Sequence, residues 1–368
     1  MCKRLLLLTI IYLGGFTLLH ADNGSKSRKS MAKKAAVTKG LDTAGSQKQG
    51  LNELKELYIA NAMASGNGSK LNPRAISFVQ DYIAKNREDL EDIKARSKPY
   101  FKLIDGIFAQ YGLPTELKYL AVIESQLKPG SVSGAGAVGP WQLMPGTARV
   151  LGLKVSHNND ERRNYAKSTR AAAIYLRDLY AELGDWLLVI AAYNGGAGNV
   201  FKAMKKSHSE DFWNLQYYLP TESRNHVKKF IGTHYYFEGQ GGVTTLTRAE
   251  ATKQLSGSDM YVFSRKLTNE EMNNSKTVFI SGKYVAPVIA RYTLMDFNLF
   301  SRYNPDFDKV MASSNNTYDL RLPADKIELF ATNKYQILDE SVKSMLSDET
   351  AELAIQKVMH DVAKKDEE

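Results

Sequence analysis

Apolar residues recur at helical spacing almost throughout residues 50 to 240. After the glycine-rich run Gly239-Gln240-Gly241-Gly242 the pattern shortens into strand-like segments separated by turns. Within the first region Asn72-Pro73 opens a helix toward Lys85, and Gly112-Leu113-Pro114 opens another. Ser168 is placed to cap a third helix that ends at Leu183-Gly184. Asp185 caps a fourth, Trp186 to Tyr193, which stops at Gly195-Gly196. The cluster Tyr235-Tyr236-Phe237 reads as core, where aromatic side chains contribute most of their burial. In the second region strands are expected at Met260–Phe263 and Thr277–Ile280, a helix from Val285 to Tyr303, and a final strand at Thr317–Pro323. The charged stretch from Asp348 to Glu368 reads as an exposed helix and tail. The expected class is mainly α, a helical domain followed by a small α+β module.

One polar residue breaks the helical pattern. Leu113, Leu117, Leu120 and Glu124 succeed one another at steps of four, three and four, so the carboxylate falls on the helix face that turns toward the core. Glutamate is rarely buried without a partner or a task. Burial disfavours the charged form, which suits a general acid that must still hold its proton near neutral pH. The alternative for Glu124 is an ion pair with an arginine inside the core.

Downstream of Glu124 the chain changes to ligand-binding chemistry. Ser133-Gly134-Ala135-Gly136-Ala137-Val138-Gly139 is followed by Pro140-Trp141-Gln142-Leu143-Met144-Pro145-Gly146-Thr147. Glycines permit close backbone approach, Trp offers a flat apolar platform, and Gln both donates and accepts hydrogen bonds. Such a mixture suits an amphipathic sugar ring. The glycines also spell the G-x-G-x-x-G of dinucleotide sites, but here they come after a helix and run into a proline. A dinucleotide turn comes after a strand and opens a helix, so that reading is discarded.

Four blocks in order, Glu124-Ser125, Gly139 to Pro145, Ala192-Tyr193-Asn194-Gly195-Gly196 and Glu222 to Val227, resemble the Slt-type lytic transglycosylases, a family related to goose-type lysozyme. Arg96 to Tyr100, Asp160 to Arg163 and Lys167 to Thr169 extend the likeness toward the membrane-bound branch of that family. The likeness covers residues 70 to 240. It implies a lysozyme-like helical domain in which Glu124 is the catalytic acid/base. Ser133, Trp141, Gln142 and Met144 would line the muramic-acid side of the cleft, and Tyr193 and Asn194 would close over the sugar beside the acid. Arg224 and His226 complete the substrate-binding set. His226 stands where the family usually has Tyr. Its imidazole can change charge between about pH 5 and 8 and so bring a pH dependence; the alternative is a helix-surface residue with no role.

Most glycosidases use two carboxylates. No convincing partner for Glu124 is legible: Glu116 lies two helical turns away, Asp105 belongs to another segment, and Asp160, Glu161 and Asp185 sit near helix starts, where acids cap. One carboxylate suffices if the substrate supplies the nucleophile. In peptidoglycan the C6 hydroxyl of muramic acid can attack C1 of the same sugar, giving a 1,6-anhydro product. A hydrolytic muramidase of the goose-lysozyme kind and a non-catalytic glycan-binding envelope protein are the competing readings. No cofactor is implied. His157, His208, His226 and His234 lack the pairing and the cysteine partners of a zinc site, so no metal is expected either.

Composition adds location. Lys3-Arg4, the apolar run Leu5 to Leu19 and the small Ala21 read as a signal peptide over residues 1–21. The competing reading is a membrane anchor, but a run of about fifteen apolar residues is short of the roughly twenty needed to span a bilayer. Export across an inner membrane to a periplasm or cell envelope is the expectation. Cys2, the sole cysteine, precedes the apolar run, so no disulfide is expected after export. The net charge of +9 is concentrated in residues 22–50, a flexible linker with seven Lys/Arg against Asp22 and Asp42. That linker can attract anionic envelope polymers peripherally. Nucleic acid is not an expected partner, since no basic helix with interleaved aromatics accompanies the charge. The expected partner is the glycan strand of peptidoglycan. Residues 51–242 form the expected catalytic domain, 243–340 a supporting or degenerate LysM-like module, and 341–368 a charged helix and tail. A LysM module is a βααβ fold that binds N-acetylated glycans, and here Gly282-Lys283-Tyr284 replaces its usual Gly-Asp-Thr start.

Overall fold

The computed structural model describes residues 70–255, 266–312 and 315–367, with side chains to residue 357. The expected signal peptide, the basic linker and the strand expected at Met260–Phe263 lie outside the described residues.

The first helix, α1 (Pro73–Lys85), starts where Asn72-Pro73 predicts: the Asn72 side chain accepts the Arg74 N–H, and Pro73 occupies a turn where no donor is needed. Its buried residues Ala75, Val79 and Ile83 lie four apart, on one stripe. Helices α2 (Arg87–Arg96) and α3 (Lys98–Gln110) come next, α3 burying Leu103, Ile104, Ile107 and Phe108. The expected single helix beyond Pro114 is instead two pieces, a 3₁₀ turn at Thr115–Lys118 and then α4 (Tyr119–Ser125). Leu113 precedes both, yet Leu113, Leu117 and Leu120 are all buried. The tighter winding of the 3₁₀ turn carries the stripe across the junction.

A short helix α5 (Pro145–Val150) leads to α6 (Tyr165–Leu183), which ends at Gly184 as expected. Its cap is not Ser168 but Asn164, whose side chain accepts the Lys167 N–H at 2.8 Å. Ser168 lies inside the first turn and donates back to the Asn164 carbonyl at 2.6 Å. Helix α7 (Trp186–Gly195) is buried along its length from Trp186 to Ala192. Its cap, Asp185, accepts the N–H groups of Leu187, Leu188 and Arg248. Helices α8 (Ala197–Ser207), α9 (Thr221–Glu238) and α10 (Arg248–Gln254) complete the first part. α6, α8 and α9 pack around α7, and α9 also lies on α1 and α4. Tyr235, Tyr236 and Phe237 pack half-buried against this core, Phe237 stacking on Tyr119 at 5.1 Å.

The second part contains a two-stranded antiparallel sheet, β1 (Ser275–Ser281) paired with β2 (Thr317–Pro323) in the register Ser275 to Pro323 through Ser281 to Thr317. Ile280, Leu320 and Leu322 alternate into the core. Between the strands the stretch expected as one helix is broken into α11 (Ala286–Tyr292) and α12 (Phe297–Tyr303), with α13 (Phe307–Met311) beyond them. The break falls at Leu294, which adopts φ 52 and leaves the helical region.

The last helix, α14 (Ile327–Glu367), is longer than the expected charged tail and is not merely exposed. Glu352 accepts the Ala166 N–H at the start of α6, Asp348 pairs with Arg170, and Ile355 is buried. Arg177 on α6 is buried between the two parts: it donates to Ser301 at 3.1 Å, faces Asp308 at 3.5 Å, and lies over the rings of Phe297 and Tyr111. Lys309 pairs with Asp178 at 2.6 Å. One hydrophobic core therefore runs from Ala75 to Ile355.

Candidate active site

Glu124 sits in the last turn of α4, and the backbone just beyond it fixes where it points. Gln126 and Leu127 both take left-handed backbone angles, φ 54 and φ 63, unusual for non-glycine residues. Their strain is held by outside bonds: Arg96 donates to the Gln126 carbonyl at 2.9 Å, and the Gln126 amide reaches Asp89. Ser125, buried, donates to the Pro140 carbonyl at 2.8 Å and ties the helix end to the next block. The Glu124 side chain is 15 % exposed, half-buried rather than enclosed, and its ion-pair partner is not an arginine. His226 Nε2 stands 3.2 Å from its Oε1, and the His226 side chain is only 8 % exposed. The surface reading of His226 is thereby corrected: α9 turns it inward, against the acid. The distance is that of an ion pair, but the alignment is not that of a hydrogen bond, so Nε2 is a buried polar atom with no donor or acceptor bond.

The glycine-rich loop is held by Arg162, a buried residue whose Nη1 donates to the carbonyls of Gly136 and Leu143, both at 2.9 Å. Its other nitrogens grip Asp160, whose carboxyl is pulled below the ordinary value chiefly by that hydrogen bond. Gly139 is required here: a Cβ would fall 2.0 Å from the Arg162 carbonyl oxygen, and its φ is +87. In the loop, Ser133 accepts the Ala137 N–H at 3.0 Å. Gln142, at φ 45, donates to Gly139 at 2.8 Å and Ser131 at 3.3 Å, which leaves its amide oxygen as the group it can offer. Met144 is half-buried just ahead of α5.

Tyr193 and Asn194 come from the end of α7. The Tyr193 hydroxyl donates to the Trp141 carbonyl at 2.7 Å. Burial raises its pKa well above the ordinary value, with the charge of Glu124 as the next cause, so the phenol stays neutral. Asn194 accepts from Ser223 on α9 at 3.0 Å. Gly195 makes that contact possible, since a Cβ would lie 2.2 Å from Ser223 Oγ.

Two expected binding residues lie elsewhere. Trp141 is fully buried, its ring against Phe108 and its N–H on Thr169 at 2.9 Å, so it serves the core and not as a sugar platform. Arg224, two residues before His226 on α9, lies instead over the ring of the exposed Tyr217. Ser125, Arg162 and Ser223, by contrast, shape the site; all three lie in the blocks that carry the family likeness, and only their roles as supports were not legible from residue type. Of the carboxylates considered as partners for Glu124, four are engaged away from it, Asp105 with Lys118, Asp160 with Arg162, Glu161 with Lys167, and Asp185 at its cap, while Glu116 lies in the 3₁₀ turn ahead of α4.

Residues 107–216 match the model of the transglycosylase SLT domain. The chain is 40 % identical over 165 residues to membrane-bound lytic murein transglycosylase D of Escherichia coli K12, covering 44 % of this chain and 36 % of the relative. It is 29 % identical over 136 residues to membrane-bound lytic murein transglycosylase C of Haemophilus ducreyi, covering 33 % and 37 %. The chain thus spans little more than a third of these relatives' lengths. Among solved structures it is similar to lytic transglycosylase Slt of Pseudomonas aeruginosa, at 20 % identity and TM-score 0.35 over 52 % of this chain and 34 % of the other. The SLT match stops at Gln216, so Ser223 and His226 reach the site from outside it.

Proposed function

We propose that the chain is a lytic transglycosylase that cleaves the β-1,4 bond between N-acetylmuramic acid and N-acetylglucosamine in peptidoglycan, leaving 1,6-anhydro ends. The observation that carries this reading is Glu124 beside His226 of α9, with Asp105, Asp160, Glu161 and Asp185 each held elsewhere. A site with one carboxylate works when the substrate supplies its own nucleophile. Glu124 first gives its proton to the glycosidic oxygen as the bond to C1 breaks. Its carboxylate then accepts the proton of the C6 hydroxyl as that oxygen bonds to C1, and the acid is restored without water. Ser133 and the Gln142 amide oxygen offer hydrogen bonds to the sugar, and Tyr193 stands beside the acid as a neutral wall.

In this reading the leader directs the chain to the cell envelope and the basic linker holds it near anionic polymers. No helix among the described residues is long and apolar enough to cross a membrane. The deciding experiment is mass spectrometry of products released from purified sacculi. Ends lighter by one water support the transglycosylase. Ordinary reducing ends would make the chain a muramidase, and absence of release a glycan-binding protein.

A further inference from the structure

The imidazole of His226 packs directly against the acid. It is buried, it lies 3.2 Å from Oε1 of Glu124, and its Nε2 has no aligned bond. A buried polar atom in a native fold is ordinarily satisfied, and catalytic hydrogen bonds are often long or misaligned before substrate binds. We propose that His226 is a positioning residue for Glu124: its Nε2 holds one carboxylate oxygen so that the other carries the proton toward the sugar. This rests on the function proposed above and deepens it.

Neutral imidazole with its hydrogen on Nε2 donates to Oε1 and leaves Oε2 to deliver and later retrieve the proton. The hydrogen bond fixes the carboxyl plane, which on a half-buried side chain at a helix end would otherwise rotate. An imidazole is also a group that can change charge, so replacing it with one that cannot alters the pH dependence of the site. Other ionisable groups on the elements packed against α9 are engaged or distant. On α4, Tyr119 is bonded to Glu238. On α7, Tyr193 donates to Trp141, and the cap Asp185 lies at the far end. On α1, Arg74 is bonded to Trp213 and Asn214, Tyr82 to Thr233, while Asp81 and Lys85 have no bond to His226; beyond Gln216, Tyr217 lies under Arg224 and Tyr218 is exposed. On α9 itself Glu222, Arg224, Lys228 and Lys229 flank the histidine.

The test uses the full chain on sacculi and two variants. His226→Gln keeps an N–H donor close to the position of Nε2 and does not titrate; His226→Leu removes the donor. The Leu variant should lose roughly 10- to 100-fold in kcat with KM little changed, the cost of a misplaced catalytic group. The Gln variant should recover most of that loss, and its kcat–pH profile should differ from that of the wild type. Thermal melts confirm that each variant is folded; if Leu is not, the pH profile of Gln decides alone. A Leu variant as active as wild type, or a Gln variant with the wild-type pH profile, overturns the proposal. Failure of the underlying function is separate: wild type itself would then release no anhydro products.

Discussion

Glu124→Gln isolates the transferable proton. The amide has the carboxylate's shape, and its oxygen can still face His226 Nε2 at the 3.2 Å seen for Oε1. The loops carrying Ser133 and Gln142 are held by Arg162, Gly139 and Ser131, through bonds that do not involve Glu124. Glycan binding should therefore survive. General acid–base catalysis contributes ~10²–10⁴-fold, and here one group serves both proton transfers, so muropeptide release should fall to the far end of that range or beyond. Stability should be unchanged or slightly higher, because the substitution replaces an ionisable carboxyl lodged beside the buried His226 with a neutral amide of the same shape. Release from sacculi measured by chromatography, with co-sedimentation for binding and a thermal melt for folding, separates the three quantities. A variant that releases product at near the wild-type rate refutes the assignment of Glu124. A variant that unfolds would instead make the Glu124–His226 contact a structural element.

Trp141→Ala should cost ~3–5 kcal/mol, as for other fully buried aromatic side chains, with KM for glycan little changed; a raised KM at wild-type stability in urea melts would restore the platform reading. Asp185 is pushed up to about 7 by burial, against an ordinary 3.8, despite three backbone N–H bonds. The folded chain then keeps a proton that the unfolded chain has lost, so this residue's contribution is full below about pH 4 and falls as pH rises through 7; Asp185→Asn should remove that slope from urea melts at several pH values. Gly195→Ala should cost ~1–3 kcal/mol of stability and reduce turnover by driving Ser223 off Asn194; wild-type melting and rate would show that the contact is dispensable. Removing residues 243–367 should leave a chain that does not fold cooperatively, since it uncovers Tyr111 and strands the buried Arg177. A truncated chain that melts sharply and still cleaves soluble glycan would make the second part an independent module.

The sequence was most legible where a residue type conflicted with its surroundings. A carboxylate on a leucine stripe, a proline behind an asparagine and an aspartate ahead of an apolar helix each have few physical solutions, and Glu124, α1 and the Asp185 cap stand where those solutions put them. Legibility failed where one residue type serves two ends. Trp141 suits a sugar platform and a core equally, and only Phe108 and Thr169, distant in sequence, decide between them. Ser168 and Asn164 can both cap, and the choice went to the residue whose side chain reaches an unpaired N–H. The break at Leu294 needed a left-handed residue that no glycine announced. His226 shows the limit most clearly. Its departure from the family's tyrosine was visible in the chain, but whether it faced solvent, sugar or acid depended on the rotation of α9. That rotation is set by burial of Val227, Phe230 and Ile231 on the same helix. The same burial that orders α9 thus presses an imidazole against the Glu124 carboxyl, which joins the fold's stability to the chemistry proposed for that group.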